Sequence, residues 1–376
     1  MSKSDSPVDA PAEDPGARLR RLVDEFGLSG RKPMAAKRRA VLAEAAGARA
    51  VGEGKPAPLL KRGARALGRV LAGFSLREKI SRPHVGIGFA PAHLVYLNGI
   101  ARRRRQSAFR RRIARGETAP VLVAEGDSWF HFPLLLKDVV LQLSRDHLVW
   151  SLAKAGDELG LMVHETDGLE DREYLAGLAA HRGHAAALLF SGGGNELIGK
   201  DRAGCSQLEG LLRPFEPGRP PDWYLDTPAF RQRLTAIQAA YRRLFADVDA
   251  HFPGLPVVFH GYDYPRPYPH GAQDRRRPHW CARDAFLGRA FRALGFAPAL
   301  LRHEVVRCVI DELNAAQRRL AGGNCPEGLF PNAFHVDLRG LLGDTEWSDE
   351  IHPTDAGFAR VGDRFRAVLA KALRTA

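Results

Sequence analysis

The sequence predicts an α/β protein built on a parallel sheet covered by helices on both faces. Three observations predict it. Short, continuously apolar runs recur between residues 120 and 340, as strands buried on both faces require. Helix-period segments separate them, which is the grammar of βαβ units. The polar residues of chemical interest fall just after these runs, and in open parallel sheets ligands gather outside the carboxyl ends of the strands.

The elements follow in order. VLVAE (121–125) reads as the first strand, and PLLLKDVVLQLSRD (133–146) as a helix. HLVWSLA (147–153) and AAALLFSG (185–192) are the second and third strands. A long amphipathic helix follows Thr227, over 229–250. LPVVFHGY (255–262) is the fourth strand, 303–321 a helix, AFHVDLRG (333–340) the fifth strand, and 354–373 a closing helix.

The chain ahead of this alternation differs in charge. Residues 1–120 hold 26 Lys/Arg against 10 Asp/Glu, whereas the remaining 256 hold 30 against 33. The net charge of +13 therefore belongs to the N-terminal third, which suggests a separate role for it. Residues 1–16, rich in Ser, Pro, Asp and Ala, read as a disordered tail. Residues 17–118 read as a basic, all-helical extension. Leu19, Leu22, Val23 and Phe26 line one helical face, and Leu60, Ala64, Leu67, Leu71 and Phe74 another. A third helical segment, about 90–115, carries Arg102, Arg103, Arg104, Arg105, Arg110, Arg111 and Arg112. The second domain is 119–376, with insertions at about 200–228 and 260–303.

Some classes are excluded or disfavoured. No apolar run reaches the roughly 18 residues of a membrane span. The N-terminus MSKSDSPVDAPAEDPG has no apolar stretch of signal-peptide type, so a cytoplasmic location is expected. Cys205, Cys281, Cys308 and Cys325 show no CxxC spacing; reduced thiols are expected, and neither a metal nor another cofactor.

The strand ends supply a set of groups. After strand one comes Gly126-Asp127-Ser128-Trp129, after strand two Gly156, and after strand three Gly193-Gly194-Asn195-Glu196. Beyond strand five come Asp349 and His352. Together these are a hydroxyl, a backbone N–H at a glycine, a side-chain amide, an imidazole and a carboxylate, the parts needed for acyl transfer. A serine hydroxyl needs a base to take its proton. Histidine titrates near working pH, and a carboxylate can orient it and stabilise its charged form. The N–H groups of Ser128 and Gly156 and the amide of Asn195 are candidate donors to the oxyanion.

These blocks resemble the SGNH hydrolases, the group that contains the GDSL esterases and lipases. The four name-giving residues are met as Ser128, Gly156, Asn195 and His352; GDSW stands for the GDS block, Gly193-Gly194-Asn195 for GxN, and Asp349-Glu350-Ile351-His352-Pro353 for DxxHP. The resemblance spans roughly residues 118–376. It implies a flavodoxin-like three-layer α/β/α fold with a five-stranded parallel sheet. It also implies metal-free ester hydrolysis by a Ser128–His352–Asp349 triad.

Plainer uses compete at each position. Ser128 alone could be a turn serine, Gly156 a turn glycine, and Asn195 a helix cap. Asp127 reads as structural, bonding its own loop. His131 reads as a wall of the cleft, and His164 and His181 as surface residues. Insertion 260–303, with Tyr262, Tyr264, Tyr268, Trp280 and Arg275-Arg276-Arg277, is read as a substrate-facing cap, the alternative being a solvated loop. Trp129, Gly194, Tyr262 and Tyr264 are expected to touch substrate. The expected substrate is a small-molecule or lipid ester. The arginines from Arg102 to Arg115 invite an anionic surface, membrane or nucleic acid. Two other readings follow from them: a phospholipase or lipase recruited to anionic membranes, and a nucleic-acid-binding or scaffold protein with an accessory hydrolase domain. A charged, solvated helix face explains the arginines equally well.

Overall fold

A computed structural model describes residues 91–133, 135–164, 172–199, 206–268 and 286–375. The tail expected over 1–16, the helical faces at 19–26 and 60–74, and Trp280, Arg275, Arg276, Arg277, Cys205 and Cys281 lie outside them.

Five strands form one parallel sheet: β1 (Val121–Gly126), β2 (Leu148–Ser151), β3 (Ala185–Ser191), β4 (Val257–His260) and β5 (Ala333–Val336). Their order is β2-β1-β3-β4-β5, with every neighbouring pair parallel. This is the doubly wound, flavodoxin-like order, in which the chain reverses direction across the sheet between β1 and β3. All six residues of β1 are buried, as its central place requires.

The helices are α1 (Pro91–Ala114), α2 (Val139–Leu143), α3 (Leu159–His164), α4 (Glu173–Ala180), α5 (Gly194–Ile198), α6 (Pro228–His251), α7 (Leu287–Ala293), α8 (Ala299–Arg318) and α9 (Asp355–Thr375). They make the outer layers of an α/β/α sandwich. Successive residues of β4 show both faces. Phe259 meets Phe245 of α6 at a ring-centroid distance of 4.9 Å, and His260 meets Phe365 of α9 at 5.4 Å. The start of α6 is written in its sequence: Thr227 Oγ1 accepts the Phe230 N–H at 3.0 Å, and Pro228 stands at the first helical position.

The helix predicted over 133–146 forms only as α2. Asp138 is the reason. It is the N-cap of α2, accepting the Leu141 N–H at 3.2 Å, and its other oxygen takes the Phe132 N–H at 2.8 Å. A carboxylate engaged on both sides ends the loop and begins the helix at 139. The helix predicted over 303–321 starts earlier, at Ala299, just after Pro298.

The segment predicted helical over about 90–115 is α1, and it lies on the edge of the sheet beside β2. Phe109 packs with Val121, Leu148 and Trp150, a burial worth about 2–3 kcal/mol. Gln106 Nε2 donates to the Ser151 carbonyl at 3.0 Å, which satisfies part of the exposed strand edge. No helix among the described residues is long and apolar enough to cross a membrane.

Candidate active site

The loop after β1 is shaped by Gly126 and Asp127. Gly126 has φ 153°, and a Cβ there would lie 2.6 Å from Ser191 Cβ, so the close approach of β1 to β3 demands glycine. Asp127 is buried and makes the turn. Its carbonyl accepts the N–H groups of Phe130 (3.1 Å) and His131 (2.9 Å). Its Oδ1 accepts the Trp129 N–H at 3.0 Å and the Ser191 hydroxyl at 2.7 Å, and its Oδ2 accepts the Tyr262 hydroxyl. Ser128 thereby opens a single helical turn. The first N–H groups of such a turn lack partners within it, and among the described residues none accepts from Ser128 N.

The histidine arrives on a local fold of its own. Asp349 Oδ1 accepts the N–H groups of Ile351 (2.8 Å) and His352 (2.7 Å), while Oδ2 lies 2.8 Å from His352 Nδ1. One carboxylate thus closes the turn and orients the ring it carries. A carboxylate accepts only, so Nδ1 donates and Nε2 is left as the acceptor. His352 Nε2 lies 2.8 Å from Ser128 Oγ. Asp349 and His352 are both buried. Phe132 and Phe286 stand against the imidazole, with ring centroids 4.7 and 6.0 Å away.

Two more predicted donors come from neighbouring loops. Gly156 follows β2 with φ 89° and is exposed, and among the described residues no acceptor takes its N–H. Asn195 lies in the first turn of α5; its Nδ2 donates to the Asp157 carbonyl at 2.7 Å, which leaves its second N–H available. The loop carrying Gly156 is fixed from α1: Asn98 Nδ2 donates to the Ala155 carbonyl at 3.0 Å and Asn98 Oδ1 accepts the Ala155 N–H at 3.1 Å. The loop carrying Ser128 is fixed there too. Arg105 donates to the Phe130 carbonyl at 2.8 Å and pairs with Asp138. The basic helix therefore braces both loops. Arg102 pairs with Glu173 and Arg112 with Glu117, whereas Arg103, Arg110, Arg111 and Arg115 are exposed.

A small cavity faces Ser128, lined by Asp127, Ser128, Trp129, Gly194, Asn195, Ile198, Tyr262, Pro265 and Ile351. Trp129, Gly194 and Tyr262, expected at the substrate, are among its walls. Gly194 is required there, since a Cβ would lie 2.7 Å from the Tyr262 ring. Tyr264 takes another place: its hydroxyl donates to Asp311 at 2.8 Å, the Arg307 guanidinium lies 4.3 Å from its ring centre, and it is absent from the cavity wall. Pro265 lines the cavity in its stead. His131 is no cleft wall either; its side chain is fully buried, with neither ring nitrogen partnered among the described residues.

Two features were not foreseen. Glu350, inside the Asp349–His352 turn, is buried and accepts four backbone N–H groups, from Tyr268 (2.9 Å), Phe286 (2.9 Å), Leu287 (3.0 Å) and Gly288 (2.9 Å). It ties both flanks of segment 269–285 to the histidine turn. Beneath the site, His260 Nε2 lies 2.8 Å from Ser191 Oγ, which itself bonds Asp127. Burial pushes His260 down to about 4. Both residues sit at strand ends in the sequence, but nothing local to either signals the long-range partner.

Several carboxyls near the site are displaced upward. Burial raises Glu125 to about 8 and Glu196 to about 7, the latter opposed by the Gly160 N–H at 3.1 Å. Burial also raises Asp157 to about 6, against the pull of Lys154. Among the described residues, no three His, Cys, Asp or Glu side chains converge to hold a metal.

No family model matches the chain, and no curated protein does. Solved structures do. An extracellular lipase from Streptomyces rimosus is 15% identical over 66% of this chain and 100% of its own, with a TM-score of 0.38. Phospholipase A1 from Streptomyces albidoflavus is 15% identical over 66% of this chain and 99% of its own, also at 0.38. A salicylyl-acyltransferase from a tetracycline biosynthetic pathway is 12% identical over 68% of this chain and 55% of its own, at 0.35.

Proposed function

We propose that the chain is a serine ester hydrolase of SGNH type. The observation that carries the reading is the unbroken run of hydrogen bonds from Asp349 through His352 to Ser128, 2.8 Å at each step. It ends on a hydroxyl that lines a cavity. In this reading Ser128 Oγ attacks the ester carbonyl while His352 Nε2 takes its proton. Asp349 holds Nδ1–H and stabilises the imidazolium. The oxyanion is held by Ser128 N–H, Gly156 N–H and the free N–H of Asn195, donors worth about 3–4 kcal/mol each in comparable sites. The C–O bond to the alcohol breaks, and the alcohol leaves with the proton from His352. Water then attacks the acyl-Ser128 ester by the same route and releases the acid. Ser128→Ala tests this: p-nitrophenyl ester hydrolysis should vanish while circular dichroism and melting remain those of the wild type. Undiminished turnover in that variant refutes the assignment.

A further inference from the structure

The cavity in front of Ser128 has a free volume of only about 10 Å³, room for roughly one water molecule. Its apolar walls are Trp129, Ile198, Tyr262, Pro265 and Ile351, all buried. Hydrogen bonds hold several of them. Trp129 Nε1 donates to the Ile351 carbonyl at 3.1 Å. The Tyr262 hydroxyl accepts the Gly194 N–H at 3.2 Å and donates to Asp127. Trp129 is further packed by Tyr262 at 5.2 Å and Phe358 at 5.8 Å between ring centres. Widening the cavity would break one of these bonds or open the close-packed layer behind it.

We infer, building on the ester-hydrolase reading, that the acyl part of the substrate is acetyl. A methyl group is about the size of the space available, and each further methylene must displace one of these buried walls. The alcohol part extends toward solvent. In the reaction the Ser128 Oγ–acetyl bond forms as the acetyl–alkoxy bond breaks, the proton passes through His352 to the alcohol, and water then releases acetate.

The test uses the full chain and p-nitrophenyl acetate, butyrate and octanoate, so that only the acyl chain varies. Wild-type kcat/KM for acetate should exceed that for butyrate by at least about ten-fold, with octanoate lower still. Ile198→Ala and Ile351→Ala should each raise the butyrate-to-acetate ratio. That ratio is taken within one preparation and does not depend on the fraction folded. Butyrate or octanoate turned over as well as acetate by the wild type, or a ratio unmoved in both variants, overturns the inference. Failure of the hydrolase reading looks different: no ester of any length is cleaved and a fluorophosphonate leaves Ser128 unlabelled, and both proposals then fall.

Discussion

His352 Nε2 and Ser128 Oγ lie 2.8 Å apart although 224 residues separate them in the chain. The flavodoxin-like strand order makes the meeting possible. Ser128 follows central β1, and the turn bearing His352 leads into α9, which packs behind β4 through Phe365 and His260. The Trp129 indole, adjacent to the serine, donates to Ile351, adjacent to the histidine. The two loops are thus joined beside the reactive pair as well as through it.

Asp349→Asn keeps an oxygen to close the turn but presents an amide where the imidazole needs an acceptor. The ring should then take the other tautomer, with Nε2 protonated toward Ser128. A fall in kcat of about 10⁴-fold is expected, with KM little changed. Steady-state kinetics decides it; a loss under about ten-fold would remove Asp349 from its role.

Glu350→Ala would leave four N–H groups, two buried and two half-buried, without their acceptor. Stability should drop by about 3 kcal/mol in guanidinium unfolding, and kcat should fall because the same turn carries His352. Glu350→Gln should recover only part of both. An Ala variant with wild-type stability would show that this clamp is unimportant.

The strand grammar, the sheet's parallel class and the residues of the Ser128–His352–Asp349 chain were legible in the sequence, because each rests on local pattern: continuous apolar runs, a Gly-Asp-Ser turn, an Asp three residues before a His. What was hidden depends on partners far along the chain. Glu350 looks like an ordinary surface residue until the N–H groups of Tyr268, Phe286, Leu287 and Gly288 are brought to it. Tyr264 looks like a substrate contact until Asp311 and Arg307, on α8, claim its hydroxyl and ring. The arginines of α1 read as a patch for an outside anion, yet Arg105 serves Asp138 and Phe130 within the molecule.

Arg105→Met should strand the Asp138 carboxylate, whose side chain is 0% exposed beside an arginine side chain 9% exposed. Burial already pushes the Asp138 carboxyl above its ordinary range even with Arg105 beside it. Removing one partner of a buried pair typically costs about 3–5 kcal/mol. Denaturation midpoints should report that loss, and adding Asp138→Asn should restore part of it. An Arg105→Met variant as stable as wild type would mean α1 is not a brace.

Stability should decline on the alkaline side of neutrality. Glu125 binds its proton up to about pH 8 when folded but only to about pH 4.3 when unfolded. Its contribution is therefore fully present below the unfolded value and is lost as pH rises toward 8. His260 works the other way, held near 4 when folded, and its term is complete by about pH 6.5. Glu196, raised to about 7, adds to the decline only up to that pH; between about pH 7 and 8 Glu125 dominates, with an expected loss of about 1 kcal/mol. Glu125→Gln should flatten that slope in unfolding experiments across the window; an unchanged slope would assign the decline elsewhere.

The most direct measurement is the site of covalent capture. Wild-type protein treated with a fluorophosphonate, digested and sequenced by tandem mass spectrometry should carry the phosphonyl group on Ser128 alone, and His352→Ala should suppress the labelling. Modification at another serine, or an unmodified Ser128 in protein that still cleaves esters, would contradict the account.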